Sequence, residues 1–152
     1  MRTTAKADYA VRAVLVLATH EGEGSLKGEL VARAQDLPLK FVENILGELK
    51  HAGLVRSQRG TEGGYWLGQP ADEITIADII RAVEGPLASV RGEAPESLHY
   101  SGSAKPLGTL WVAVRSNLRE VLELVTIADI AANELPELVD ELTRDPEAWT
   151  HH

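Results

Sequence analysis

The stretch from Ser25 to Leu67 leaves few folds open. Two short amphipathic segments are separated by Asp36-Leu37-Pro38, and a glycine-rich turn, Arg59-Gly60-Thr61-Glu62-Gly63-Gly64, follows between two strand-like runs. In the first segment, Lys27 to Ala34, the apolar positions Leu26, Leu30, Val31 and Ala34 recur at helical spacing, and Ser25 is the candidate N-cap. Pro38 suits the first turn of the next helix, because its missing amide hydrogen would have no helical partner there. That helix carries Phe41, Val42, Ile45, Leu46 and Leu49 as an inward stripe, and Gly53 suits its C-terminal cap. Two such helices across a short turn form a helix-turn-helix. Leu54-Val55-Arg56-Ser57 and Tyr65-Trp66-Leu67 flank the glycine turn as a hairpin, so the predicted unit is a winged helix.

Helical patterns surround this unit. Thr4 caps a predicted helix over Ala5 to Ala18, whose apolar positions are Ala7, Ala10, Val11, Val14, Leu15 and Leu17, and Glu21 to Gly24 ends it. Thr75-Ile76-Ala77-Asp78 reads as a capping box opening a short helix to Val83, stopped by Gly85-Pro86. Residues 86–106, rich in Gly, Pro, Ser and Ala, form a loop long enough to be either functional or disordered. The longest helical pattern comes next, with Leu107, Leu110, Trp111, Val114, Leu118, Val121, Leu122 and Val125 on one face. A stripe this apolar requires a partner surface. Thr126-Ile127-Ala128-Asp129 nearly repeats the earlier four residues and is read as a reused helix start rather than a duplicated module. The fold class is mainly α with a small β hairpin.

Composition excludes several functions. With 152 residues, 44% apolar and 25% charged, the chain has the makings of one packed, soluble domain. No apolar run approaches a membrane span and the N-terminus has no leader pattern, so a cytoplasmic protein with no membrane partner is expected. No cysteine is present, which removes disulfides, thiolate metal sites and cysteine-ligated iron–sulfur clusters. His99 with Asp8 or Glu96 offers too few ligands for a metal, and neither metal nor cofactor is expected. No G-x-S-x-G, H-E-x-x-H or Walker loop is present, so the chain is not read as an enzyme. The net charge of −8 is unevenly shared: residues 1–69 hold nine Lys/Arg against eight Asp/Glu and residues 70–152 six against fifteen, giving +1 and −9. Only the first half would tolerate a polyanion.

Three runs together resemble a known family: MRTTAKADYAVRAVLVLA, LVARAQDLPLKFVENILGELKHAGLVRSQRGTEGGYWL and ITIADIIRAVEGP. They are similar to the winged-helix transcription regulators that include IscR, NsrR and CymR, strongly over residues 1–85 and, through the long helix, to about residue 131. The resemblance implies a homodimer on double-stranded DNA, the long helix crossing between subunits, and a sensor segment just before that helix. Accordingly, residues 1–85 are assigned to a winged helix-turn-helix DNA-binding domain, 86–106 to a sensor-like loop, 107–135 to a dimerisation helix region and 136–152 to an acidic tail. The eight stripe residues from Leu107 to Val125 are the expected dimer interface. Cluster-binding members hold three cysteines in the sensor segment; here there are none, so a cluster-less member is expected, and the resemblance implies a repressor or an activator, the repressor being the reading adopted.

A recognition helix presents its N-terminal residues to base edges. Pro38 and Leu39 open it; Lys40 suits guanine or a phosphate, Asn44 adenine, and Glu43 the cytosine amino group. At the wing tip, Arg59 with Gly60, Thr61, Gly63 and Gly64 is expected in the minor groove, while Arg56 and Gln58 either contact phosphates or pair across the hairpin. Tyr65 is expected at the backbone and Trp66 in the core. Arg2, Lys6 and Tyr9 resemble backbone-contacting positions, and Ser25 to Lys27 offer free amides to a phosphate. By resemblance, the loop's His99 and Tyr100 lie near Asp8, Arg12 and Trp111. Those five residues form either a pocket for a small acidic effector or nothing more than a connector; a protein partner on the acidic face is a further possibility. A winged helix acting only as a protein-interaction module is the alternative to DNA binding. The terminal His151-His152 pair is given no chemistry.

Overall fold

A computed structural model describing residues 1–152 places α1 (Ala5–Thr19) at the centre of the molecule. The Thr4 hydroxyl accepts the Ala7 amide to start it, and Ala7, Ala10, Ala13, Val14, Val16 and Leu17 are buried. Around it stand α2 (Gly28–Ala34), α3 (Leu39–His51), the antiparallel hairpin of β1 (Val55–Gln58) and β2 (Gly64–Leu67), and α4 (Ile76–Glu84). Of the 21 residues in the core cluster, only Val125 and Ile127 come from beyond Val83, so the winged-helix unit owns the hydrophobic core.

Several expectations are corrected in detail. Ser25 does not cap α2. Lys27 occupies that position without a side-chain bond, and the Ser25 hydroxyl instead donates to the Glu62 carbonyl at the wing tip, 3.1 Å away. The chain cannot begin α2 earlier because Leu26 is extended against β2, exchanging backbone bonds of 2.8 and 2.7 Å with Tyr65. In α3, Val42, Ile45, Leu46 and Leu49 point inward as expected, but Phe41 is 53% exposed and its ring meets Tyr9 edge-on at 6.2 Å. Phe41 is one residue from the inward position Val42, about 100° round the helix, and so reaches the α1 side rather than the core.

Beyond α4 the chain is only partly autonomous. Residues 86–106 are structured: Val90 and Glu93 pair through their backbones, Pro95–Ser97 and Gly102–Ala104 form single 3-10 turns, and Leu87, Pro95 and Leu98 are buried. Then comes α5 (Leu107–Leu122), none of whose residues is buried. It is fastened at its end, where Thr75 and Thr126 lie opposite each other: Ile76 donates to the Val125 carbonyl at 3.0 Å and Ile127 to that of Ile74 at 2.8 Å. Both threonines close complete capping boxes, with Asp78 for α4 and Asp129 for α6 (Ile127–Ala131). The repeated Thr-Ile-Ala-Asp is therefore two helix starts, as expected, and additionally the two halves of one antiparallel clasp. The tail adds α7 (Glu137–Thr143) and a 3-10 turn ending at Trp149, which is 75% exposed. No helix is long and apolar enough to cross a membrane.

Candidate nucleic-acid interface

Three elements converge beside Gly28. A Cβ built there would stand 3.7 Å from the Tyr65 ring, 3.8 Å from Glu43 Cγ and 3.9 Å from Leu39 Cδ1, so the start of α2, the start of α3 and the wing strand meet at one point. Tyr65 is half-buried and packs partly against the core cluster, whereas Trp66, expected in the core, is half-buried outside that cluster. Trp66 sits opposite Arg56 in the hairpin and Tyr65 opposite Ser57, so alternation puts Trp66 and Arg56 on one face and Tyr65 on the other. Gln58 lies opposite Gly64.

The wing's glycines are required by its own backbone. A Cβ on Gly63 would fall 2.2 Å from the Gln58 carbonyl oxygen, and one on Gly64 would fall 2.5 Å from that of Leu26. Gly63 closes the turn by donating to Gly60 at 3.0 Å. Arg59, Gly60, Thr61 and Glu62 are all exposed at this tip.

The interface cations fall into two groups. Lys40, Arg56 and Arg59 are exposed and make no side-chain hydrogen bond or ion pair with the protein; the same holds for Arg2, Lys27, Gln58, Glu43 and Asn44. Lys6 differs, since its ammonium lies 2.9 Å from both oxygens of Glu48 and braces α1 to α3. Tyr9 is half-buried between Phe41 and the Arg12 guanidinium, which stands 5.7 Å from its ring centre. Of the amides from Ser25 to Lys27, that of Leu26 is already given to Tyr65.

The five candidate effector residues are divided in two. Arg12 bonds Asp8 at 3.2 Å and the Gln35 carbonyl at 2.6 Å, fastening α1 to the C-terminal end of α2, where a cation complements the exposed carbonyls. Tyr100 accepts the Trp111 indole at 3.2 Å, with Arg91 at 6.0 Å from its ring, while His99 is exposed and without a partner. No hydrogen bond or ion pair joins the two groups. Gln35 and Glu48 are not legible as partners in the sequence, because they act on residues 23 and 42 positions away.

A different cluster joins the parts. Arg115 of α5 pairs with Glu96 of the 86–106 loop, while Arg81 of α4 and Arg119 of α5 share Glu123 at 2.5 and 3.0 Å. Backbone hydrogen bonding and the Arg115 guanidinium hold the Glu96 carboxyl below the usual glutamate value. Hydrogen bonds from Arg81 and then Arg119 do the same for Glu123. The i,i+4 spacing of Arg115, Arg119 and Glu123 is visible on the helix pattern; their partner Arg81 is not.

The stripe expected to form a dimer interface is also divided. Val125 is 6% exposed within the chain's own core and leaves the expected interface, and Leu122 packs partly on that core. Leu107, Leu110 and Val112 stay exposed.

Residues 3–133 match the Rrf2 family, described as iron-dependent transcriptional regulators. The chain is 48% identical over 145 residues to Rv1287 of Mycobacterium tuberculosis, a protein provisionally named an HTH-type transcriptional regulator, covering 95% of this chain and 90% of that one. It is 36% identical over 132 residues to the HTH-type transcriptional regulator CymR of Bacillus subtilis, covering 87% and 91%. Among solved structures, B. subtilis CymR, the global cysteine regulator, superposes with a TM-score of 0.73 at 35% identity over 88% of this chain and 98% of that one. T. potens IscR does so with a TM-score of 0.69 at 32% identity over 100% and 93%. The iron in the family description finds no matching donors here, since there is no cysteine and no three His, Asp or Glu side chains converge. The chain thus belongs to the Rrf2 family as a cluster-less, winged-helix DNA-binding transcriptional regulator and not an enzyme.

Proposed function

We propose that the chain is a cytoplasmic, homodimeric repressor of a palindromic operator, reading DNA with Lys40, Glu43 and Asn44 in the major groove and Arg59 in the minor groove. The observation that carries this reading is the unpaired state of Lys40, Arg56 and Arg59 on the wing and the start of α3, while Lys6 and Arg12, on the adjoining helix, are bound to protein partners. A cation held ready and unneutralised near a half-domain of charge +1 favours phosphates, and displaced counterions supply the affinity. In a homodimer, the exposed Leu107, Leu110 and Val112 of one α5 would cover the partner's apolar recess of about 460 Å³, which Ala7, Ile80, Leu118 and Leu122 help to line. Two recognition helices would then stand about 34 to 36 Å apart, one turn of DNA. Occupying the operator excludes polymerase, and the signal that relieves it is a small ligand or protein partner rather than a cysteine-ligated cluster.

The test is a fluorescence-anisotropy titration of the DNA upstream of the protein's own coding sequence. Saturable binding that weakens as salt rises is expected; absence of binding at low salt would favour the interaction-module reading instead.

A further inference from the structure

We propose that Arg81, Arg115 and Arg119 form the binding site for a compact dianion, with Glu96 occupying part of that site until the dianion displaces it. The inference deepens the repressor reading by assigning residues to its signal input, and it rests on that reading. Residues 70–152 contain only six Lys/Arg, and three of them converge on one recess of about 470 Å³ between α4, α5 and the 86–106 loop. Of the seven residues lining it, three are arginine and one, Glu96, is acidic. A region whose charge is −9 has thus gathered half its cations at one recess, where Glu96 is the one acidic lining residue. Glu123, which pairs with Arg81 and Arg119, leaves the five groups with a net charge of +1.

The chemistry fits a dicarboxylate or a phosphate group. Guanidinium forks bind either in paired, charge-assisted hydrogen bonds, and three forks from two helices surround one small anion better than they surround separate monocarboxylates. Gly85 and Pro86 line the same recess and put no long side chain of their own into it. The cluster also spans the elements a signal has to couple. Arg81 belongs to the last helix of the DNA-binding domain, Arg115 and Arg119 to α5, and Glu96 to the loop between them. A dianion drawing Arg81 and Arg115 together would free the loop held by Glu96 and tie the domain to α5, a differential contact of the kind allostery requires.

The experiment is isothermal titration of the DNA-free protein with inorganic phosphate and, separately, with succinate, at ionic strength held constant with sodium chloride. Saturable binding of at least one probe is expected, and which one binds identifies the dianion class. Arg81→Gln with Arg115→Gln should weaken it by about tenfold or more, the loss of charge-assisted pairs. Glu96→Gln, an exposed change, should tighten it by about threefold or more by removing the internal competitor. No saturable binding of either probe, equal affinity in the double variant, or weaker binding by Glu96→Gln would each overturn the proposal. Because DNA is absent, failure of this titration leaves the anisotropy result untouched, and the converse also holds.

Discussion

Two helices of nearly equal length behave in opposite ways. In α1, 15 residues long, six side chains are buried by the chain's own elements, whereas α5, 16 residues long and also rich in leucine and valine, buries none. Their charged surroundings differ as well, since α1 belongs to the half that carries +1 and α5 to the half that carries −9. An apolar stripe therefore means core in one place and a half-buried to exposed helix face in the other. The difference arises from the elements packed around each helix: α1 is wrapped by α2, α3, β2, α4 and α6, while α5 is held mainly by the loop before it and the threonine clasp after it.

Breaking the clasp tests that contrast most severely. Ile127 is fully buried beside the Thr75–Thr126 pairing, and Ile127→Ala should cost about 2 to 5 kcal/mol in urea denaturation. Leu110→Glu belongs to the other side of the comparison. At 50% exposure the change should leave secondary structure intact, yet weaken self-association by about 2 kcal/mol or more in ultracentrifugation. Thr126→Ala, which removes a cap without opening the core, should lower stability by about 0.5 to 2 kcal/mol. Acid should have the smallest effect. Glu96 and Glu123 are held below the usual glutamate value, so their pairing stabilises the fold at every pH above that value and is lost as pH falls through the depressed one. Near-ultraviolet dichroism from Trp111 and Tyr100 should stay constant from pH 7 to about 5 and change only below about 4.

How much is legible in the sequence depends on how far each signal reaches. Thr75, Thr126 and Gly53 act within a few residues, and their caps can be read from local pattern alone. So can the helix-turn-helix and the hairpin, whose periods are local. Ser25 misleads because an N-cap pattern competes with a strand pairing between Leu26 and Tyr65, thirty-nine positions apart, that no local period reveals. Periodicity identifies the stripe from Leu107 to Val125 but not its partners, so Val125 of the core and Leu110 of the surface look alike. The family resemblance groups Asp8 and Arg12 with Tyr100 and Trp111; each pair makes its own hydrogen bond, and the arginines that line one recess come from α4 and α5.

The central claim is that DNA is met by the unpaired cations of the wing and recognition helix while the acidic half stays clear of it. Operator affinity measured by fluorescence anisotropy across a salt series, for the native protein, Arg59→Ala and Arg144→Ala, tests it directly. Arg59→Ala should weaken binding by about 1 to 3 kcal/mol at matched salt, and Arg144→Ala, an exposed residue of the acidic half, should leave affinity within about 0.5 kcal/mol of native and the salt slope unchanged. Native affinity in Arg59→Ala, or an equal loss in Arg144→Ala, would contradict the account.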